Sequence, residues 1–225
     1  MTSEAGRDGA QGLPDILPIF PLSGVLLLPR GQLPLNIFEP RYLAMTREAM
    51  IGNQLIGMIQ PRAPGGEREP SPVVYDTGCA GRITAFRETD DGRFLITLSG
   101  VCRFVVADEI TLTDTGYRRV CPTYARYLGD LAEPDAAAVD RDRLLRALQS
   151  CVPAGSGNEI DWPAVERMPS DRLVTTLAML FPFNPGEKQA LLEAADIGAC
   201  AEILVTLMEM LAASDVDVNT EGMLQ

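Results

Sequence analysis

The chain has 225 residues, a hydrophobic share of 46% and a formal net charge of −12 at pH 7. This composition predicts a folded globular protein with a core of its own, and the acidic balance argues against nucleic-acid binding, which usually requires a basic surface. Apolar runs are shorter than the ~18 residues of a membrane span, and the N-terminal residues lack the features of a secretory signal. Five scattered cysteines without paired spacing predict reduced thiols and a cytoplasmic protein.

Charge is distributed unevenly along the chain. Residues 1–130 contain 13 arginines against 15 acidic residues, whereas residues 131–225 contain 6 basic and 16 acidic residues. This shift predicts a boundary near residue 130. We predict a disordered tail over 1–13, a β-barrel domain over 14–130, a helical domain over 131–213 and a second tail over 214–225.

The first domain is predicted to open with strands. Three short apolar runs bounded by proline or glycine, at residues 16–20, 25–28 and 33–38, favour strands over helices. The pattern changes at Glu39-Pro40, because proline suits the first position of a helix. Tyr42, Met45 and Ala49 then recur at helical spacing up to Ile51, which predicts one amphipathic helix.

This opening stretch resembles the Lon protease amino-terminal domain, also called the Lon substrate-binding domain, of the peptidase S16 family. The resemblance rests on Phe20-Pro21-Leu22, Pro29, Gly31, Leu33-Pro34-Leu35, Ile37-Phe38-Glu39 and Arg41-Tyr42. Arg30, which stands between the proline and the glycine, is a departure from the family pattern.

Further strands are predicted up to residue 127. They cover residues 55–60, 82–87, 93–98, 101–110 and 117–127, and the last of them is broken at Pro122. The predicted connections are a surface loop over 62–72, a hairpin turn at Asp91-Gly92, a bend at Ser99-Gly100 and a turn at 114–116. Six or more strands with one inserted helix predict a small barrel-like sheet. Gly78, Gly81-Arg82-Ile83, Asp91-Gly92-Arg93, Leu98, Gly100 and Arg103-Phe104 also match the Lon domain, and Arg103 is expected to pair with a carboxylate.

From Glu133 onward the periodicity is helical. Five helices are predicted. The first covers residues 135–151, and the next three begin at the caps Asp161, Ser170 and Asn184-Pro185. The fifth contains the last apolar stripe before residue 213. FPFNPGEKQALLEAAD resembles the helical part that follows the Lon barrel. The resemblance implies an α+β fold, with a PUA-like, LON-type β pseudo-barrel carrying one inserted helix, followed by a C-terminal helical bundle.

The sequence offers little for catalysis. It has no histidine, which removes Ser-His and Cys-His pairs and histidine metal sites. The sole lysine, Lys188, does not match a phosphate-binding loop and is expected to be solvated or in a salt bridge. Asp90-Asp91 and the Asp140/Asp142 pair are expected to be solvated. We predict a protein that is not an enzyme, without cofactor or metal, and a stand-alone domain without the ATPase and peptidase domains of full Lon proteases.

The resemblance implies a non-catalytic binding module for exposed apolar segments of unfolded or partner proteins, acting away from membranes. The candidate binding residues are Leu33, Phe38, Arg41 and Tyr42, with Arg41 also expected to pair with Glu39 at the helix start. The alternative is a PUA-like protein that binds RNA or a small ligand. The 13 arginines of the first 130 residues support this alternative. Nucleic acid is nevertheless the less favoured partner. A hydrolase would need a deep pocket of convergent carboxylates. The oligomeric state is not predicted.

Overall fold

The computed structural model describes residues 12–62, 72–110, 116–151 and 160–221. The chain divides between Glu133 and Pro134 into two compact units. The predicted loop over 62–72 and the predicted turn at 114–116 fall largely outside the described residues.

The described residues of the first unit form six strands and one α-helix. They are β1 (Leu17–Pro21), β2 (Gln32–Ile37), α1 (Pro40–Ile51), β3 (Leu55–Ile59), β4 (Thr77–Glu88), β5 (Phe94–Ile110) and β6 (Arg118–Thr123). A short 3₁₀ segment, Ala125–Leu131, follows the last strand. The predicted α+β class, with one helix inserted among the strands, is confirmed.

Five of the strands form a closed cycle of pairings. The sheet order is β2-β5-β4-β3-β1-β6, and β6 also pairs with the C-terminal part of β5. Among the strand pairings of the described residues, only β1–β3 is parallel. The cycle of β1, β3, β4, β5 and β6, called the ring below, forms the predicted pseudo-barrel.

The ring encloses an apolar core. Its buried side chains come from every strand of the cycle and from the residues after β6: Leu17, Ile19, Leu55, Ile59, Ala80, Cys102, Phe104, Val120, Tyr124 and Tyr127. Burial of this apolar surface is the main stabilising term of the fold.

A second part of the same sheet extends beyond the ring. β2 pairs with the N-terminal part of β5, which pairs on its other side with the C-terminal part of β4. These three segments, residues 32–37, 82–88 and 94–99, are called the wing below. In β5 the wing residues alternate between buried and half-buried, as expected for a sheet with one face toward the core.

Residues 25–28, predicted as a strand, form none. Leu26, Leu27 and Leu28 are buried, but the backbone crosses β5 instead of pairing along it. The Leu28 carbonyl would lie 2.0 Å from a Cβ placed on Gly100, and the amide of Arg30 donates to the Gly100 carbonyl at 2.7 Å. The run is apolar because it covers the sheet, and periodicity does not separate that role from a strand.

Two other strand predictions need correction. Ser99-Gly100 does not end a strand, because β5 runs from Phe94 to Ile110 with only a shift of its register against β4 between Gly100 and Cys102. Gly100 is required for close approach of the crossing segment rather than for a turn. The strand predicted over 117–127 ends at Thr123, after Pro122, and the chain turns into the 3₁₀ segment. The hairpin turn at Asp91-Gly92 is confirmed, with Gly92 at φ 80°.

The second unit is helical. Its helices are α2 (Arg141–Cys151), α3 (Trp162–Arg167), α4 (Ser170–Leu180), α5 (Pro185–Glu193) and α6 (Ile197–Glu221). Asn184 and Glu187 form the predicted capping box of α5, and Asp161 caps α3 through the Ala164 amide. No helix of the described residues has the length and apolarity that crossing a bilayer would require.

Several helical details differ from prediction. The first helix begins at Arg141, preceded by a 3₁₀ turn over Ala136–Ala138, rather than at residue 135. Pro169, not Ser170, occupies the N-cap of α4. α6 extends to Glu221, past the end predicted at residue 213. Lys188 is only 7% exposed, which excludes the first of the two environments predicted for it, a solvated position or a salt bridge. Burial lowers its pKa.

Candidate binding cleft

The candidate site lies where β2 passes into α1. β2 ends at Ile37 and α1 begins at Pro40, so Phe38 and Glu39 form a two-residue connection. Glu39 stands at the N-cap but does not cap the helix with its side chain. Its carboxylate accepts instead from the Arg41 guanidinium, at 3.0 Å from Nε and 2.9 Å from Nη2. The predicted local ion pair is confirmed, and it holds the connection against the first turn of the helix.

Phe38 is exposed to solvent, with 63% of its surface accessible. Large apolar residues at this level of exposure are common singly, but they are informative where they border a concavity. Phe38 borders one: it lines a cavity of about 120 Å³, called the Phe38 cleft below.

Aromatic rings form one wall of the Phe38 cleft. The Phe20 and Tyr42 rings lie with their centroids 4.2 Å apart at an interplanar angle of 39°, and the Arg41 guanidinium lies 4.5 Å from the Tyr42 centroid. Tyr42 is 5% exposed, and burial is the main cause that raises the pKa of its hydroxyl. A neutral, tightly packed tyrosine gives the cleft a rigid apolar wall.

The remaining lining is largely apolar. The residues around the cleft are Phe20, Pro21, Leu22, Leu35, Asn36, Phe38, Glu39 and Tyr42. An engineered apolar cavity of about 150 Å³ accommodates benzene, so this volume suits one apolar side chain of a ligand.

The structure brings together two of the four predicted binding residues. Phe38 and Tyr42 line the cleft, whereas Leu33 and Arg41 do not. Arg41 acts on the cleft indirectly, through its contacts with Glu39 and Tyr42. Leu33 lies in β2 opposite Leu98 of β5. A binding role for all four residues stays a prediction.

Sequence reasoning missed Phe20 as a site residue and did not single out Leu35 within its apolar run. Phe20 lies at the end of β1 and reaches the cleft only because the sheet and α1 bring it onto Tyr42. Leu35 belongs to the motif that carries the resemblance, and its half-buried position in β2 was available from the alternation of the strand.

An open trough of about 480 Å³ lies next to the cleft, over the wing. Cleft and trough share Leu35 and Asn36 of β2. The trough also takes lining residues from β4 and β5, including Ala85, Arg87 and Thr97. The cleft and the trough therefore adjoin at these two residues of β2.

In the described ranges, no cluster of three or more cysteine, aspartate or glutamate side chains could hold a metal ion. Burial raises the pKa of the Cys79 thiol well above its usual value and that of Cys102 to about 12. Thiols with such pKa values are poor nucleophiles at neutral pH.

Comparison with known proteins agrees with this geometry. Residues 16–210 match the family model of the ATP-dependent protease La (LON) substrate-binding domain. Lon protease 2 of Myxococcus xanthus is 25% identical over 207 residues, which are 90% of this chain and 24% of that protein. Lon protease of Parabacteroides distasonis is 32% identical over 107 residues, which are 48% of this chain and 13% of that protein. The chain thus spans about a quarter or less of the length of these relatives.

Solved structures show the same fold. The Lon N-terminal domain protein from Xanthomonas campestris superimposes with a TM-score of 0.58 and 24% identity, over 85% of this chain and 97% of that one. The N-terminal domain of Mycobacterium avium complex Lon protease gives a TM-score of 0.58 with 14% identity, over 86% and 98% of the two chains. These structures show the fold, and the family match over residues 16–210 shows that the chain belongs to the LON substrate-binding domain family.

Proposed function

We propose that this LON domain binds exposed apolar segments of other proteins, and that the Phe38 cleft receives one apolar side chain of the bound segment. The observation that carries the proposal is the position of Phe38, which is exposed beside a cleft whose wall is the Phe20–Tyr42 pair. A substrate-binding module of the LON family needs such a surface, and the cleft supplies it without any chemistry of its own.

The size of the cleft predicts weak binding of a single segment. Burying one large apolar side chain contributes about 1.5–3 kcal/mol, and part of this is lost to ordering the ligand. Because a Kd of 1 mM corresponds to about 4 kcal/mol, a single short peptide is expected to bind with a Kd of several millimolar or more. Recognition of unfolded proteins then depends on several apolar segments, or on several copies of the domain, acting together.

Several features of the chain favour binding over catalysis as its role. The sequence has no histidine to act as a base, and the buried Cys79 and Cys102 thiols stay protonated near neutral pH. The residues around the cleft are mostly apolar, with Glu39 as the one carboxylate, and it is held by Arg41.

Arginine pairing makes the RNA-binding alternative less favoured. Eleven arginines of the first unit lie in the described ranges, and seven of them pair with carboxylates. Little positive charge is left uncompensated to neutralise phosphates, which supply most of the affinity in nucleic-acid binding.

The proposal is tested by replacing Phe38 and measuring both binding and stability. We expect Phe38→Ser to weaken the binding of a phenylalanine-containing peptide about tenfold, since it removes most of one apolar contact, while thermal unfolding changes little. Chemical-shift perturbation or fluorescence titration measures the affinity.

A matched control is available at the other end of α1. Ile51 is exposed and lies outside the residues that line the cleft, so Ile51→Ser should leave peptide binding unchanged. The proposal fails if Phe38→Ser binds the peptide as tightly as the wild-type protein does.

A further inference from the structure

We infer that the bound segment continues from the Phe38 cleft across β2 into the trough of the wing, and that Arg87 there selects an acidic residue three to five positions from the apolar anchor. This inference rests on the proposed function, because it needs the apolar side chain in the cleft to fix the position of the segment.

Strand register shows which side chains line the floor of the trough. Leu95 of β5 lies opposite Asn36 of β2 on one side and Arg87 of β4 on the other, and Thr97 lies between Pro34 and Ala85. Residues that face each other across neighbouring strands project to the same side of the sheet. The floor is thus a row of small or apolar side chains that ends at a guanidinium.

Arg87 is the one charged residue among those that line the trough. It is exposed, and it makes no ion pair or side-chain hydrogen bond with the described residues. Glu88, its neighbour in the chain, lies opposite Phe94, whose side chain is buried on the other face of the wing. Most arginines of this unit are paired, so an unpaired one at the end of an apolar trough indicates a carboxylate on the ligand.

Geometry gives the spacing between anchor and acid. Asn36, which the cleft and the trough share, is two strand separations from Arg87, or about 10 Å. An extended chain covers this distance in about three residues, at roughly 3.3 Å per residue. The cleft lies just beyond Asn36, next to Phe38, which adds one or two residues.

The surrounding charge makes the effect specific. The chain carries a net charge of −12, which disfavours acidic ligands in general. If an acidic peptide binds more tightly and this gain depends on Arg87, the attraction must therefore arise from the trough and not from the overall charge of the chain.

The test uses the full chain and capped peptides of about ten residues. The neutral peptide carries one phenylalanine in a Gly/Ser/Thr/Gln background. In two acidic peptides a glutamate replaces the residue four positions before or after the phenylalanine, and a fourth peptide lacks the phenylalanine. We expect one acidic peptide to bind the wild-type protein about threefold more tightly than the neutral peptide at low ionic strength, a gain typical of an exposed ion pair and weakened by salt.

Variants assign the gain to Arg87. Arg87→Gln should bind the neutral peptide like the wild-type protein and show no gain with glutamate, and Arg87→Glu should reverse the preference. Arg126→Gln is the matched control, because Arg126 is also exposed and is not paired with a carboxylate of the described residues; this variant should keep the gain.

The possible failures are distinguishable. If the neutral peptide binds no better than the peptide without phenylalanine, the proposed function of the cleft is wrong. If it binds better but glutamate adds nothing, or adds as much in Arg87→Gln as in the wild-type protein, the inference about Arg87 is wrong and the proposed function stands.

Discussion

The ring and the wing share two strands, β4 and β5, but use them differently. In the ring both faces of β3 and of the first part of β4 are covered, since all five residues of β3 and the first five of β4 are buried. In the wing the last five residues of β4 are exposed, and β2 alternates between exposed and partly buried positions. The continuous strand β4 therefore serves as core at one end and as surface at the other.

This difference separates stability from recognition. Substitutions in the ring disturb close-packed contacts and are expected to change the free energy of unfolding. Substitutions on the exposed side of the wing and at Phe38 change the surface that contacts a ligand and are expected to have little effect on the free energy of unfolding. Comparing equivalent changes in the two parts tests this division.

The largest effect is expected for Gly100→Ala, at the point where residues 25–31 cross β5. The new Cβ would lie 2.0 Å from the Leu28 carbonyl oxygen, and backbone atoms on both sides would have to move. We expect a loss of stability on the order of 5 kcal/mol or failure to fold, measured by denaturant unfolding.

The matched change is Gly92→Ala, in the turn that joins the wing segments of β4 and β5. Gly92 has φ 80°, but no atom beyond its chain neighbours would lie within 4 Å of a Cβ placed on it. This variant should lose only about 1 kcal/mol, through backbone strain alone. Equal losses in the two variants would show that the crossing contact does not set the role of Gly100.

A smaller effect is expected when the buried ion pair of the ring is broken. Arg103 donates to Asp130 from its backbone amide and Nε, both at 2.9 Å, and from Nη2 at 2.7 Å. Both side chains are 8% exposed. Asp130→Ala should cost about 3–5 kcal/mol, because it leaves a guanidinium buried without its carboxylate. Calorimetry or chemical unfolding measures the loss.

Two further variants sharpen this comparison. Asp91→Ala breaks the exposed Arg93–Asp91 pair of the hairpin that joins the wing strands, and its effect on stability should be far smaller. The double variant Arg103→Met with Asp130→Leu should be more stable than Asp130→Ala, because no charge is left buried. If the double variant were the less stable of the two, the penalty would come from lost packing instead.

Local chemistry explains which parts of the fold were predictable from the sequence. Pro40 at the first turn of α1, the Asp91-Gly92 turn and the Asn184–Glu187 capping box each depend on residues within a few positions of one another. The pairing of Arg103 was predictable because a buried guanidinium requires an anion, although its partner was not.

Long-range contacts explain what was missed. The sequence predicts a bend at Gly100, since a glycine required by a contact from residue 28 looks the same in sequence as a glycine required by a turn. The same limit applies to the Phe38 cleft. The residues at its rim come from the recognised motif, but Phe20 joins Tyr42 only through the packing of β1 against α1.

A further effect concerns the buried thiols of the ring at alkaline pH. Burial raises the pKa of Cys102 from 9.0 to about 12 and raises that of Cys79 as well. Between these values the unfolded chain loses thiol protons that the folded protein keeps, so the free energy of unfolding falls as pH rises. We expect a loss of about 1 kcal/mol per thiol between pH 9 and 10, measured by chemical unfolding across that range.

Cys102→Ala should reduce this pH dependence by about half. The control is Cys121→Ala, which removes a half-buried thiol of β6 and tests whether the loss of any cysteine has the same effect. An unchanged slope in Cys102→Ala would mean that the interior of the ring admits water, and the contrast with the solvent-facing wing would then be weaker than the packing indicates.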